Sequence, residues 1–166
     1  MTWSEISVRI GVVSDSHGNL YMLDKAIASM GELDMIIHLG DNYKDMIKIN
    51  QKYNKPIEYV AGNNDFIASG VKRDKVLLIE GKRIFITHGH KYGVYNSLND
   101  IYFKGLEENA DIVLFGHTHK QCVERQGEMI LLNPGSTSLP RDSAPGCAVL
   151  DIKNDDIDVQ LMRIKY

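Results

Sequence analysis

The feature that most constrains this chain is a series of short apolar runs, each stopping at glycine or at residues that bind metals. The run 8–14 ends in Asp15-Ser16-His17-Gly18, and 35–39 ends in Gly40-Asp41. The run 57–61 leads into Gly62-Asn63-Asn64-Asp65, 83–87 into His88-Gly89-His90, and 112–115 into Gly116-His117-Thr118-His119. Runs of this length, rich in branched residues and bounded by turn formers, read as buried strands. Between the first two, Leu20, Leu23, Ile27 and Met30 recur at helical spacing until Gly31 closes the segment. A second helix is predicted over 45–53. The resulting β-α-β-α-β order implies a parallel sheet with right-handed crossovers.

The second half reads as more strand-rich. Strands 76–79 and 83–87 flank Glu80-Gly81-Lys82, a connection suited to a hairpin. Residues 97–109 form a predicted helix whose buried stripe is Leu98, Ile101, Tyr102 and Leu106. Strands 122–126 and 129–132 flank a turn at Gly127, and strands 146–152 and 157–164 flank Asn154-Asp155. The expected fold class is α/β, a two-sheet β sandwich flanked by helices (αββα) with mixed parallel and antiparallel strands. A length of 166 residues fits a single domain, 1–166, which buries about 68–70% of its unfolded surface and needs no disulfide or metal merely to fold.

Charge and cysteine usage narrow the function classes. Lys and Arg total 19 against 22 Asp and Glu, a net charge of −3, which lacks the basic excess of a dedicated nucleic-acid binder. With 43% hydrophobic residues the chain is not of the disordered type. The N-terminal residues show neither the basic nor the apolar region of a signal peptide. No apolar run approaches the ~20 residues that cross a bilayer. Cys122 and Cys147 are isolated and fit a reducing cytoplasm. No membrane partner and no long nucleic acid are expected, and homo-oligomer formation is left open.

The strand-terminal residues carry the chemistry. In open α/β sheets the ligand crevice lies beyond the carboxyl ends of the strands, so these loops are placed to converge. In an extended turn, ligands at i and i+2 point the same way, which lets D-x-H and H-x-H each offer two groups to one cluster. Any one of these strings is ordinary turn chemistry; all of them at strand ends point to a site. Of the six histidines, His38 lies inside an apolar strand and is expected to be structural. His90 is placed near the metals or the substrate.

In this order, D-x-H, G-D, G-N-x-D, H-G-H and G-H-x-H resemble the calcineurin-like metallophosphoesterase superfamily. The closer likeness is to its small prokaryotic phosphodiesterases, relatives of the retromer scaffold subunit. The resemblance extends from Val8 to about Ile164 and implies two divalent ions. Asp15, His17 and His119 would hold one, Asn63, His88 and His117 the other, with Asp41 bridging. Nitrogen and oxygen donors without thiolate suit Mn²⁺, with Ni²⁺, Co²⁺, Fe²⁺ or Zn²⁺ as alternatives. Such a pair, about 3.5–4 Å apart, binds phosphoryl oxygens and acidifies a bridging water for in-line attack on phosphorus. The implied enzyme is a dinuclear phosphodiesterase acting on a small phosphodiester, with Asp41, Asn63 and His90 as catalytic candidates.

One position departs from the pattern. Many relatives carry His after the asparagine to protonate the leaving group, and here the residue is Asn64, an amide that cannot do so. Asn64 and Arg141 are read as substrate-binding, Asp65 as orienting its neighbours, and the loop 133–138 as closing over the site. Lys72-Arg73-Lys75 reads as a solvated turn. The alternatives are a non-catalytic metal-binding scaffold, which predicts an eroded ligand set, and a nuclease using the same site.

Overall fold

The computed structural model describes residues 6–66 and 70–166. The first half forms β1 (Ser7–Val13), α1 (Leu20–Ser29), β2 (Met35–His38), α2 (Tyr43–Tyr53) and β3 (Ile57–Tyr59). The second forms β4 (Asp74–Ile79), β5 (Lys82–Thr87), a 3-10 turn (His90–Tyr92), α3 (Asn99–Glu107) and β6 (Ile112–Leu114). It ends with β7 (Gln121–Gln126), β8 (Met129–Pro134), β9 (Gly146–Lys153) and β10 (Asp156–Arg163). The strands make two five-stranded sheets, ordered β10-β9-β1-β2-β3 and β4-β5-β6-β8-β7.

Both sheets are mixed. In the first, β1, β2 and β3 are parallel, as the alternating β-α order requires, and the C-terminal hairpin β9-β10 adds antiparallel beside β1. In the second, β5, β6 and β8 are parallel, with β4 and β7 antiparallel at the edges. The β4-β5 connection is shorter than the sequence suggested. It is the two-residue turn Glu80-Gly81, both residues at positive φ (48° and 76°), the twist-matched hairpin geometry.

Alternation along the strands sorts the core into layers. Ile10, Val12 and Ile37 of the first sheet, with Ala148 and Leu150, meet Ile84, Ile86, Ile112, Leu114 and Leu132 of the second. Each fully buried Ile or Leu in this seam contributes about 1.5–3 kcal/mol, and the seam joins the two sheets that carry the ligand loops. The opposite faces are covered by helices. Met22, Leu23, Ala26 and Ile27 of α1 pack on Val13 and Val149, and Ile101 of α3 packs on Phe85, Val113 and Leu131.

The α3 stripe differs from the predicted one. Ile101 and Gly105 are its buried residues, Leu98 and Tyr102 are partly buried, and Leu106 is 47% exposed. A Cβ on Gly105 would lie 2.7 Å from both Met129 Sδ and Val113 Cγ2, so the bare backbone lets the helix press onto the sheet. That contact turns Leu106 outward.

Candidate metal centre

The carboxyl ends of β1, β2, β5 and β6 deliver Asp15, His17, Asp41, His88, His117 and His119 to one crevice. Asp15, His17, Asp41 and His119 each present one donor atom, all within 4.8 Å of one another. The Asp41 carboxylate faces two imidazoles, with Oδ1 3.4 Å from His88 Nε2 and Oδ2 3.6 Å from His17 Nε2. His17 Nε2 lies 3.2 Å from His119 Nε2, and His117 Nδ1 lies 3.3 Å from His88 Nε2.

The backbone reaches this arrangement by a route other than the expected extended turn. Asp15, His17, Asp41, His117 and His119 all have positive φ, between 46° and 70°. Non-glycine residues held there cost of order 1–3 kcal/mol each and collect at functional sites. Asp and His tolerate the region better than most. Curling the chain at both ends of D-x-H and H-x-H brings their side chains into one cluster. Close backbone approach supports the curl: a Cβ on Gly62 would lie 2.2 Å from Asp41 Oδ1, and one on Gly116 2.6 Å from Asp15 Oδ2.

The residues fit a divalent cation. Asp15 is fully buried, and its Oδ1 has no hydrogen-bond partner of proper geometry, although His119 Nε2 is 3.1 Å away. A buried, ionised, unpartnered oxygen is costly unless a cation meets it. Carbonyl oxygens only accept, so His88 Nδ1–H donates to Leu39 O and His119 Nδ1–H to Leu139 O, each at 2.7 Å. Both Nε2 lone pairs are thereby left for the cluster, the usual orientation of ligand imidazoles. The oxygen and nitrogen donor set lacks sulfur, which favours a borderline or hard divalent ion.

The electrostatics follow from the same contacts. Burial opposes ionisation of Asp15, but His119, His17, His88 and the Ser14 hydroxyl outweigh it and hold the carboxyl far below its ordinary range. Burial likewise opposes Asp41, yet His88 and the two Asn64 donors bring it to about 2. His17 is raised by its hydrogen bond to Asp15, against its own burial. His88 is raised because Asp41 and Asp15 together overcome its desolvation.

The supporting network joins His38, expected to be structural, to two residues that the sequence pattern did not mark, Ser16 and Asp45. Gly40 N–H donates to His38 Nδ1 at 3.1 Å, so the neutral ring donates from Nε2 to Ser16 Oγ at 2.9 Å. Ser16 Oγ–H in turn donates to Asp45 Oδ2 at 2.7 Å, which also accepts from Gly18 N–H at 2.8 Å. This relay fastens the Asp15–His17 loop to the loop of Asp41, and complete burial lowers His38 to about 4. Asp65 does as expected: its carboxylate accepts from the N–H groups of Asp41, Asn42 and Gly62 at 2.8–2.9 Å.

The remaining predicted residues are distributed around the rim. Asn63 is exposed on the turn after Gly62, and its amide has no hydrogen-bond partner among the described residues. Asn64 contacts the cluster itself, donating from N to Asp41 Oδ1 at 2.9 Å and from Nδ2 to Asp41 Oδ2 at 2.7 Å. The His90 ring centre is 5.4 Å from that of His88, and burial and the charge of His88 lower it to about 4. Arg141 donates to the Tyr95 hydroxyl and is exposed. The 133–138 loop does not cover the site. Asn133, Ser136 and Thr137 are buried, and Asn133 donates to Gly116 O at 2.9 Å while Ser136 donates to Asp15 O at 2.7 Å. The loop pins the ligand loops from beneath, because its polar side chains satisfy backbone carbonyls left open where the strands end.

The calcineurin-like phosphoesterase superfamily domain matches residues 8–155, and the chain belongs to that superfamily. A Bacillus subtilis "Probable metallophosphoesterase" is 33% identical over 156 residues, covering 90% of this chain and 87% of the relative. A phosphodiesterase of Methanocaldococcus jannaschii is 28% identical, with 90% and 96% covered. Among solved structures, a predicted phosphoesterase from Streptococcus pneumoniae superposes with a TM-score of 0.79 at 26% identity, over 96% of this chain and 94% of that one. Vacuolar Protein Sorting 29 from Cryptosporidium parvum shares the fold, with a TM-score of 0.74 at 15% identity over 94% and 97%. The chain is thus of the small prokaryotic branch of the superfamily, a metal-dependent phosphoesterase by family and by donor set.

Proposed function

We propose that this chain is a dinuclear phosphodiesterase acting on small diesters, and the observation that carries the reading is the two-sided Asp41. Its oxygens face His88 on one side and His17 on the other, as a carboxylate shared between two ions requires. Asp15, His17 and His119 would hold one ion; His88, His117 and the amide oxygen of Asn63 would hold the other. Divalent ions held there, Mn²⁺ by preference, supply an activated water and offset the charge that builds on the phosphoryl oxygens.

The chain's own residues do the positioning. Asn64 fixes both Asp41 oxygens through its backbone and side-chain N–H groups, and Asp65 fixes the backbone beneath. Being an amide, Asn64 cannot protonate a leaving group, and such a donor is worth about 10²–10⁴ in rate. Aryl diesters are therefore turned over faster than alkyl diesters. The scaffold alternative predicts lost ligands, whereas the ligand positions here are filled. Free Cys122 and Cys147 accord with a cytoplasmic location, and no described helix is long and apolar enough to cross a membrane.

The test is hydrolysis of bis(p-nitrophenyl) phosphate by protein stripped with chelator and reloaded. Turnover is expected only after reloading, with Mn²⁺ best. Absence of turnover with Mn²⁺, Ni²⁺, Co²⁺, Fe²⁺ and Zn²⁺ alike would overturn the reading.

A further inference from the structure

His117 is flanked by two aromatic side chains, and each of these carries a guanidinium. The His90 ring centre is 6.0 Å from that of His117, and the Tyr95 ring centre is 4.8 Å away. Arg73 Nη1 donates to His90 Nε2 at 2.8 Å; a guanidinium only donates, so that nitrogen accepts. Arg141 donates to the Tyr95 hydroxyl, with its Cζ 5.7 Å from the Tyr95 ring centre. Tyr95 in turn donates to His117 O, and Arg141 N–H donates to His119 O, each at 3.0 Å.

Their tethers leave these two arginines without a counter-charge, a state shared among the described arginines by Arg83, tied to Glu108 O, and Arg125 on β7, but found beside His117 only here. Arg9 pairs with Asp151 and Arg163 with Asp142, each at 2.8 Å. Lys75, beside Arg73 in the same basic stretch, pairs with Glu58 at 3.1 Å, and Lys91 with Asp74 at 3.0 Å. Neither Arg73 nor Arg141 has a carboxylate within ion-pair distance among the described residues. Both are exposed at the mouth, held by neutral acceptors, with most of their donors unspent. On a chain of net charge −3 this is a local arrangement and not part of a general basic surface.

We propose that Arg73 and Arg141 receive a second phosphate carried on one ester arm of the substrate, so that the favoured diesters bear an additional phosphate. The planar guanidinium fork matches phosphate oxygens in pairs. Both arginines are held by residues that adjoin the cluster without belonging to it, His90 and Tyr95, whose rings flank His117. His90 here is a positioning residue for Arg73. The proposal rests on the phosphodiesterase reading for the identity of the diester, but its binding component is independent of turnover.

The test uses Mn²⁺-loaded protein and calorimetry with thymidine 3′,5′-bisphosphate and thymidine 5′-monophosphate. The bisphosphate is expected to bind about tenfold tighter or more, the worth of one charge-assisted hydrogen-bonded contact. Arg73→Gln and Arg141→Gln should each shrink that ratio and the double variant should abolish it, whereas Lys75→Gln should leave it in place. Kinetics with thymidine 5′-(p-nitrophenyl phosphate) and its 3′-phosphorylated form, which share one leaving group, should show the same preference. Equal affinity for the two nucleotides overturns the clamp, as does equal weakening of both by the arginine variants. An arginine-dependent ratio without turnover upholds the clamp and counts against the phosphodiesterase reading. Turnover without the ratio sinks the clamp alone.

Discussion

The two sheets make unlike contributions to one crevice. Loops of the first supply the carboxylates, Asp15 and Asp41, together with His17; loops of the second supply His88, His117 and His119. The carboxylates are held by donors of their own. Asp41 accepts twice from Asn64, and Asp15 accepts from Ser14 and from His117 N–H. His88 and His119 are instead oriented by giving their Nδ1 protons to Leu39 O and Leu139 O, and their Nε2 atoms end close to other imidazoles or to Asp15. The first half thus presents carboxylates held by donors of their own, whereas the second presents imidazoles oriented by backbone carbonyls. His38 makes the contrast plain: a histidine of the first sheet, it spends both nitrogens on Gly40 and Ser16 and faces no ion.

The contrast breaks most severely at Asp41. Asp41→Ala removes the carboxylate that faces both imidazole sets, and activity should fall by about 10³-fold or more, the scale of losing a preorganised charged group. Metal content by mass spectrometry should fall with it, and a variant that keeps metal and activity would remove Asp41 from the shared position. Next comes Asp65→Ala, which releases the N–H groups of Asp41, Asn42 and Gly62. Supporting residues of this kind are worth about 10–100-fold in metal affinity, readable by competition with a fluorescent chelator. Unchanged affinity would show that the loop holds its shape without Asp65.

His38, a residue of the first sheet, gives the fold a pH-dependent stability. Its folded value of about 4 lies below the ordinary 6.5, so as pH falls the unfolded chain takes up a proton that the folded chain refuses. Stability is thus full above about pH 6.5 and is lost toward pH 4. This residue should cost about 2 kcal/mol between about pH 7 and pH 5. Urea unfolding of chelated protein should show that loss, and His38→Gln should flatten it; equal slopes in both proteins would refute the assignment. The smallest change is Asn64→Ala, which deletes one of two donors to Asp41 while the backbone donor stays. A drop in kcat/KM of about tenfold is expected on bis(p-nitrophenyl) phosphate, and an increase would mean that Asn64 restrains the site.

Much of this was legible in the residues. Short apolar runs bounded by turn formers defined most strands, and the β-α-β order implied the parallel core of the first sheet. The ligand strings stood out because they fall where strands stop. Other features could not be read. The left-handed backbone at Asp15, His17, His117 and His119 depends on loops pinned by Asn133 and Ser136, which are far along the chain. Ser16 and Asp45 meet only because the first turn of α2 lies against the loop that follows β1. Gly105 carries no apolar side chain for a periodicity to detect, yet it is the contact surface of its helix. Arg73 looked like part of a solvated turn, and only the 3-10 turn bearing His90 brings it to the mouth.

The sequence by itself determined the kinds of element, the order of the ligands and the chemistry of the donor set, because these follow from local periodicity and residue type. Tertiary structure decided which oxygen faces which imidazole, which histidine is scaffolding, and which basic side chains are ion-paired. Those outcomes turn on a few ångströms between groups distant in sequence. They are set by the apolar seam that holds two sheets face to face and by the backbone carbonyls that orient each ring.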